Sequence, residues 1–190
     1  MKTNELMSAF DNLKVGLFFG SDTGNTEVIT NDFVETWEAT QVEVIAGIDM
    51  KVEDYARFDF IIIGLSTWYD GDLQSDFEDF FPQFQTIDFT DKIVAMYGLG
   101  DQLGYDEYFV DGLGILGEVI LNNGGKIIGM WPTEGYDYTK SKAEFTPELF
   151  YGLALDEDNE MEKTAERLEA WIPQVVKELE EALTEAGAVS

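Results

Sequence analysis

The segments Lys14–Gly20, Asp59–Leu65, Ile93–Leu99 and Lys126–Met130 are short, nearly unbroken apolar runs. A strand with one wet face alternates polar and apolar side chains; runs without that alternation belong to strands buried on both sides, as in a parallel sheet covered by helices. Between them the period changes. Val28, Ile29, Phe33, Val34 and Trp37 recur at helical spacing after Thr26, with Thr23 or Asn25 as the expected cap. Phe77, Phe80, Phe81 and Phe84 place an apolar face on a helix over 74–84. Tyr108–Leu121, with Gly112, Gly114 and Gly117, predicts a helix lying close against the sheet. Val42–Ala46 is a shorter alternating strand, followed by a polar connection over Met50–Arg57.

Two segments qualify this regularity. Residues 131–150 are polar, carry tyrosines and have no clean period, after which Tyr151–Leu155 resumes an apolar run, as for a loop inserted into the fifth strand. Glu160–Ala186 reads as a long amphipathic helix with Leu168, Trp171, Ile172, Val175, Val176 and Leu179 inward, yet Pro173 lies inside it. An interior proline loses a hydrogen bond and clashes with the preceding turn, so a kink or break is predicted at 170–173. The expected fold is α/β, a doubly wound five-stranded parallel sheet. The expected organisation is a leader of unknown role at 1–13, one domain at 14–184 and a tail at 185–190.

In such a sheet ligands bind at the carboxyl ends of the strands, and three loops there carry chemistry. Ser21-Asp22-Thr23-Gly24-Asn25-Thr26 combines helix-start N–H groups, a glycine and hydroxyls, which suits a phosphate; hydroxyl and Asn residues also cap helices with no ligand present. Ser66-Thr67-Trp68-Tyr69-Asp70-Gly71-Asp72 and Gly98-Leu99-Gly100-Asp101-Gln102-Leu103-Gly104-Tyr105 each put a large ring in a loop. Two flat rings at neighbouring strand ends suit a planar heterocycle between them.

Composition narrows the chemistry. With no cysteine and no histidine, thiolates, disulfides, zinc sites and imidazole catalysis are excluded, so a redox role needs a borrowed cofactor. The net charge of -28, from 11 Lys and Arg against 39 Asp and Glu, excludes nucleic-acid backbones as partners and favours basic protein faces. Self-repulsion favours a monomer, and the absence of a signal or spanning pattern predicts a cytoplasmic protein.

Together the motifs Ser21–Thr26, Thr67–Asp76 and Gly98–Tyr105 resemble those of the flavodoxins, with the likeness running from about residue 14 to 180. The insertion before Gly152–Asn159 is similar to that of the long-chain type. The resemblance implies strand order 2-1-3-4-5 and non-covalently bound FMN. It implies a low-potential one-electron carrier cycling between neutral semiquinone and hydroquinone, an electron-transfer protein and not an enzyme. Ser21, Asp22, Thr23, Gly24, Asn25 and Thr26 would hold the phosphate, with Asp22 turned to solvent. Trp68 and Tyr105 would cover the ring faces, the backbone of Leu99, Gly100 and Asp101 would meet the pyrimidine edge, and Asp158 would lie near the ribityl chain. The peptide joining Tyr69 to Asp70, between Thr67 and Gly71, would turn its carbonyl toward flavin nitrogen 5; Asp70 tolerates the positive φ this asks for better than a β-branched residue. Implied partners are a ferredoxin-NADP-type reductase, a photosystem or another low-potential acceptor. The chain departs from many relatives at Asn25, where a lysine is often found, and at Tyr69-Asp70. The alternative is a flavin-dependent quinone reductase on the same fold, which needs an open ring face. A flavin-free signalling module would need a phosphoacceptor aspartate where Gly20-Ser21 stands.

Overall fold

The structure, a computed structural model, describes residue 10 and residues 12–189; the rest of the expected leader lies outside it. In chain order the elements are β1 (Val15–Phe19), α1 (Asn25–Thr36), β2 (Val42–Ala46), α2 (Val52–Ala56), β3 (Phe60–Trp68) and β4 (Asp72–Leu73). There follow α3 (Ser75–Phe84), β5 (Ile93–Leu99), α4 (Asp111–Asn122), β6 (Lys126–Ile128), β7 (Trp131–Pro132), β8 (Glu144–Thr146), β9 (Leu149–Phe150), β10 (Leu153–Leu155) and α5 (Thr164–Val189). β1 pairs in parallel with β2 (Val15↔Val42 to Phe19↔Ala46) and with β3 (Val15↔Phe60 to Phe19↔Gly64). β3 pairs with β5, and the fifth position is shared: β6 pairs with the first half of β5 (Ile93↔Lys126) and β10 with its second half (Leu99↔Leu155). This is the doubly wound order 2-1-3-4-5, with the fifth strand interrupted as the sequence predicts.

The unbroken apolar runs have a direct cause: Leu17 and Phe18, neighbours on β1, are each fully buried but on opposite faces of the sheet. One face packs Phe18, Ile61, Ile63 and Met96 under α2, α3 and α4, where Phe18 stacks on Tyr55 at 4.0 Å. The other packs Leu17, Ile62 and Tyr97 under α1 and α5. Phe10, from the expected leader, is buried in this second cluster.

Several expectations need correction. α5 runs unbroken through Pro173, so no break occurs there; only one backbone bond depends on the missing N–H, while Trp171, Ile172 and Val175 are held against the sheet and Trp171 Nε1 donates to the Gly129 carbonyl at 2.7 Å. The helix continues to Val189, through most of the stretch read as a tail. β3 outlasts Leu65 because Thr67 and Trp68 turn into an antiparallel hairpin with β4. The glycines of α4 do not all face the sheet. A Cβ on Gly112 would meet Leu65, but one on Gly114 would lie 1.9 Å from the Lys142 carbonyl oxygen, so the insertion lies directly against this helix. That insertion also forms its own antiparallel sheet, β7-β9-β8, for which its sequence carries no period.

Candidate functional site

Registers align the carboxyl ends of β1, β3, β5 and β10, so the loops that follow them meet at one edge of the sheet. They enclose a cavity of about 350 Å³ lined by Thr23, Asn25, Thr26, Ser66, Thr67, Trp68, Tyr69, Leu99, Gly100, Asp101, Tyr105, Glu157 and Asp158. No lysine or arginine lines it.

At the first loop the expected capping by Thr23 or Asn25 is replaced by another arrangement. α1 begins with Gly24 at its N-cap, at φ 92°, and no side chain caps it. Glycine adopts that left-handed conformation without penalty, which lets the chain reverse directly into the helix. Ser21 Oγ accepts the Gly24 N–H at 3.0 Å and closes the turn. The first main-chain bond of the helix runs from the Val28 N–H to the Gly24 carbonyl. The N–H groups of Asn25, Thr26 and Glu27 are therefore not used inside the helix, and they supply the positive end of its dipole. Asp22 is exposed but not free: its carboxylate accepts from Gln74 Nε2 at 3.0 Å and from the hydroxyl and N–H of Ser75, at the start of α3. This corrects the picture of a carboxylate turned only to solvent, and it keeps the charge off the loop's inner side.

The second loop is the tip of the β3–β4 hairpin. Trp68 Nε1 donates to Ser66 Oγ at 3.0 Å, which fixes the indole, and Thr67 Oγ1 accepts the Gly112 N–H at 3.0 Å, which ties the hairpin to the start of α4. The Gly71 N–H closes the turn on the Trp68 carbonyl at 3.1 Å. Positive φ falls on Tyr69 (43°) and Gly71 (92°), so in this conformation the strained residue of the hairpin is the tyrosine, which is 64% exposed.

The third loop is fastened by carboxylates. Asp101 Oδ1 accepts from the N–H of Leu103 (3.0 Å) and Gly104 (2.6 Å) and from Asn159 Nδ2 (2.8 Å). Burial acts to raise the pKa of Asp101, but these bonds outweigh it and hold the carboxyl below its ordinary value. Asp156, fully buried at the end of β10, accepts from the N–H and Nε2 of Gln102, the N–H of Asp158 and Asn159, and Asn159 Nδ2. Asp158, facing the cavity, has its pKa raised by burial and by the charges of Asp101 and Asp156.

Of the residues singled out from sequence, Thr23, Asn25, Thr26, Thr67, Trp68, Tyr69, Leu99, Gly100, Asp101, Tyr105 and Asp158 line the cavity together. Ser21, Asp22, Gly24, Asp70 and Gly71 do not; the first three shape the loop, and the last two complete the hairpin turn. The sequence placed Ser66 and Gln102 in the second and third loops without assigning them to the site, and it did not single out Glu157 on the lining or Asp156 and Asn159 behind it. The run Asp156-Glu157-Asp158-Asn159 directly after a strand end is the signal that could have found Asp156, Glu157 and Asn159.

The arrangement has an anion-receiving end of free N–H groups and hydroxyls, and an aromatic end with Trp68 and Tyr105 on two different loops. Its volume is in the range of small-molecule sites. A family model described as Flavodoxin matches residues 17–171. The chain is 43% identical over 165 residues to a flavodoxin of Haemophilus influenzae, covering 87% of this chain and 95% of that one. It is 45% identical over 163 residues to a flavodoxin of Picosynechococcus, covering 85% and 95%. Among solved structures, the Fusobacterium nucleatum flavodoxin bound to flavin mononucleotide superimposes with a TM-score of 0.82 at 28% identity, over 87% of this chain and 98% of that one.

Proposed function

From the premise that this chain belongs to the flavodoxin family and is a low-potential one-electron carrier dependent on FMN, not an enzyme with a substrate of its own, we propose how its residues divide that work. The observation that carries the reading is the single cavity joining an uncapped helix start to two loop aromatics. FMN supplies the redox chemistry; the chain supplies position and field.

The N–H groups at the start of α1, with the hydroxyls of Thr23 and Thr26, hold the phosphate dianion without a cationic side chain. Trp68, fixed by Ser66, and Tyr105 flank the flavin ring and exclude water from it. The backbone of Leu99–Asp101, held in shape by Asp101 and Asp156, presents its polar groups to the ring edge. Asp101, Glu157 and Asp158 surround the site with negative charge and disfavour a further negative charge in it, which makes the loaded protein a strong reductant. The ring edge and the acidic surface around it then meet basic faces of redox partners in small, transient encounters in the cytoplasm. Among the described residues, no helix is long and apolar enough to cross a membrane.

The test is stepwise anaerobic reduction of FMN-loaded protein followed by visible spectroscopy. Two resolved one-electron steps are expected. One two-electron step would favour a quinone reductase, and failure to bind FMN would remove the site assignment.

A further inference from the structure

Behind the first loop, two hydroxyls lie in an otherwise apolar cluster with Ile29, Phe33, Ile62 and Trp171. Thr30, one turn into α1, is 1% exposed and Tyr97 on β5 is fully buried. Tyr97 reaches across β3 at Gly64, where any side chain would collide with it: a Cβ there would lie 2.1 Å from the Tyr97 Cζ. Thr30 Oγ1 lies 2.7 Å from the Thr26 carbonyl oxygen and 2.5 Å from the Tyr97 hydroxyl. A carbonyl can only accept, so Thr30 spends its one proton on Thr26, and Tyr97 must donate to Thr30. Burial pushes the Tyr97 phenol well above its ordinary value, so it keeps the proton it donates.

The chain is thus directional, Tyr97 to Thr30 to the Thr26 carbonyl, and it ends on a particular peptide. The Thr26 carbonyl and the Glu27 N–H belong to one peptide unit, and that N–H is among those unused within the helix. A donor added at the carbonyl polarises the whole peptide and strengthens its N–H, the more so in a low-dielectric interior. Phenylalanine and valine would fill the same space without bringing hydroxyls into the core.

We propose that Tyr97 and Thr30 are positioning residues for the FMN phosphate: they brace the Thr26–Glu27 peptide from behind and sharpen its N–H in a loop that has no cation. This rests on the assignment of loop 21–26 to the phosphate. It makes the two buried hydroxyls determinants of the preference for FMN over riboflavin, which shares the ring and ribityl chain but lacks the phosphate.

The experiment compares FMN and riboflavin affinities, by flavin fluorescence quenching, for the full-chain apoprotein and for Tyr97→Phe, Thr30→Val and the double variant. Tyr97→Phe should weaken FMN about three- to tenfold, the scale of one hydrogen bond, and leave riboflavin unchanged. Thr30→Val should weaken FMN at least as much. Because Tyr97 acts through Thr30, the double variant should lose no more than Thr30→Val alone. Riboflavin binding reports that each variant has folded. Equal losses for both flavins, or no loss for either, would overturn the proposal while leaving the phosphate assignment standing. A native protein with no preference for FMN over riboflavin would overturn both.

Discussion

The two loops at opposite ends of the cavity are built on contrary plans. Loop 20–26 keeps its donors open: α1 has no side-chain cap, the one turn-closing bond is from Gly24 to Ser21, and Asp22 is drawn aside to α3. Loop 99–105 consumes its donors, through Asp101 within the loop and Asp156 just beyond the neighbouring strand β10. On the proposed assignment, the difference follows from what each would receive. A phosphate must find N–H groups without partners, and a nearby carboxylate would repel it; a ring edge needs a rigid outline, and carboxylates supply one together with a negative field. The loop that must stay open depends on backbone conformation, and the loop that must stay still depends on side-chain bonds.

The contrast breaks most sharply at Asp156. Asp156→Ala leaves the buried N–H and Nε2 donors of Gln102 unsatisfied, so the apoprotein should lose about 3 kcal/mol in denaturant unfolding, with ring binding impaired. A loss no greater than that of Asp22→Ala would mean that carboxylates do not fasten this loop. Next comes Gly24→Ala. A Cβ there would touch nothing, so the whole cost is the positive φ, about 1–2 kcal/mol, read by the same unfolding measurement. A neutral outcome would show that the open loop does not need its left-handed residue.

The smallest effect concerns Glu160, beyond the third loop. Burial opposes its ionisation, yet bonds from Lys163, Arg167 and Gln102 bring its pKa from 4.5 down to about 2. A depressed carboxylate stabilises the fold fully above its ordinary value and loses that contribution as pH falls from about 4.5 through about 2. Glu160→Gln, which does not titrate, should therefore show a shallower loss of stability across that window, by under about 1 kcal/mol because Lys163 is half exposed. Identical acid-unfolding profiles would show that the ion pairs of Glu160 with Lys163 and Arg167 contribute nothing.

What was legible in the chain was whatever is encoded locally. Buried strands announce themselves by apolar runs because each residue's environment repeats along the strand, and strand ends predict where loops gather. Thus the buried strands, the interrupted fifth strand and the loops bearing Trp68 and Tyr105 could be read from the chain alone, whereas the order of the strands was implied only by the family resemblance. The lining residues of the first loop were equally visible, but its missing cap was not, since Thr23 and Asn25 are good caps that the backbone at Gly24 leaves unused.

Tertiary structure alone decided the rest, wherever partners lie far apart in sequence. Tyr97 meets Thr30, Asp156 meets Gln102, and Gly114 meets the Lys142 backbone only after the sheet has formed. Pro173 breaks no helix because the packing of Trp171 and Val175 outweighs one lost bond. Local pattern sets which segments become strands and helices because propensity and burial repeat with a short period. Which polar atoms face one another depends on the register and packing of remote elements, and that information exists in no single stretch of the chain.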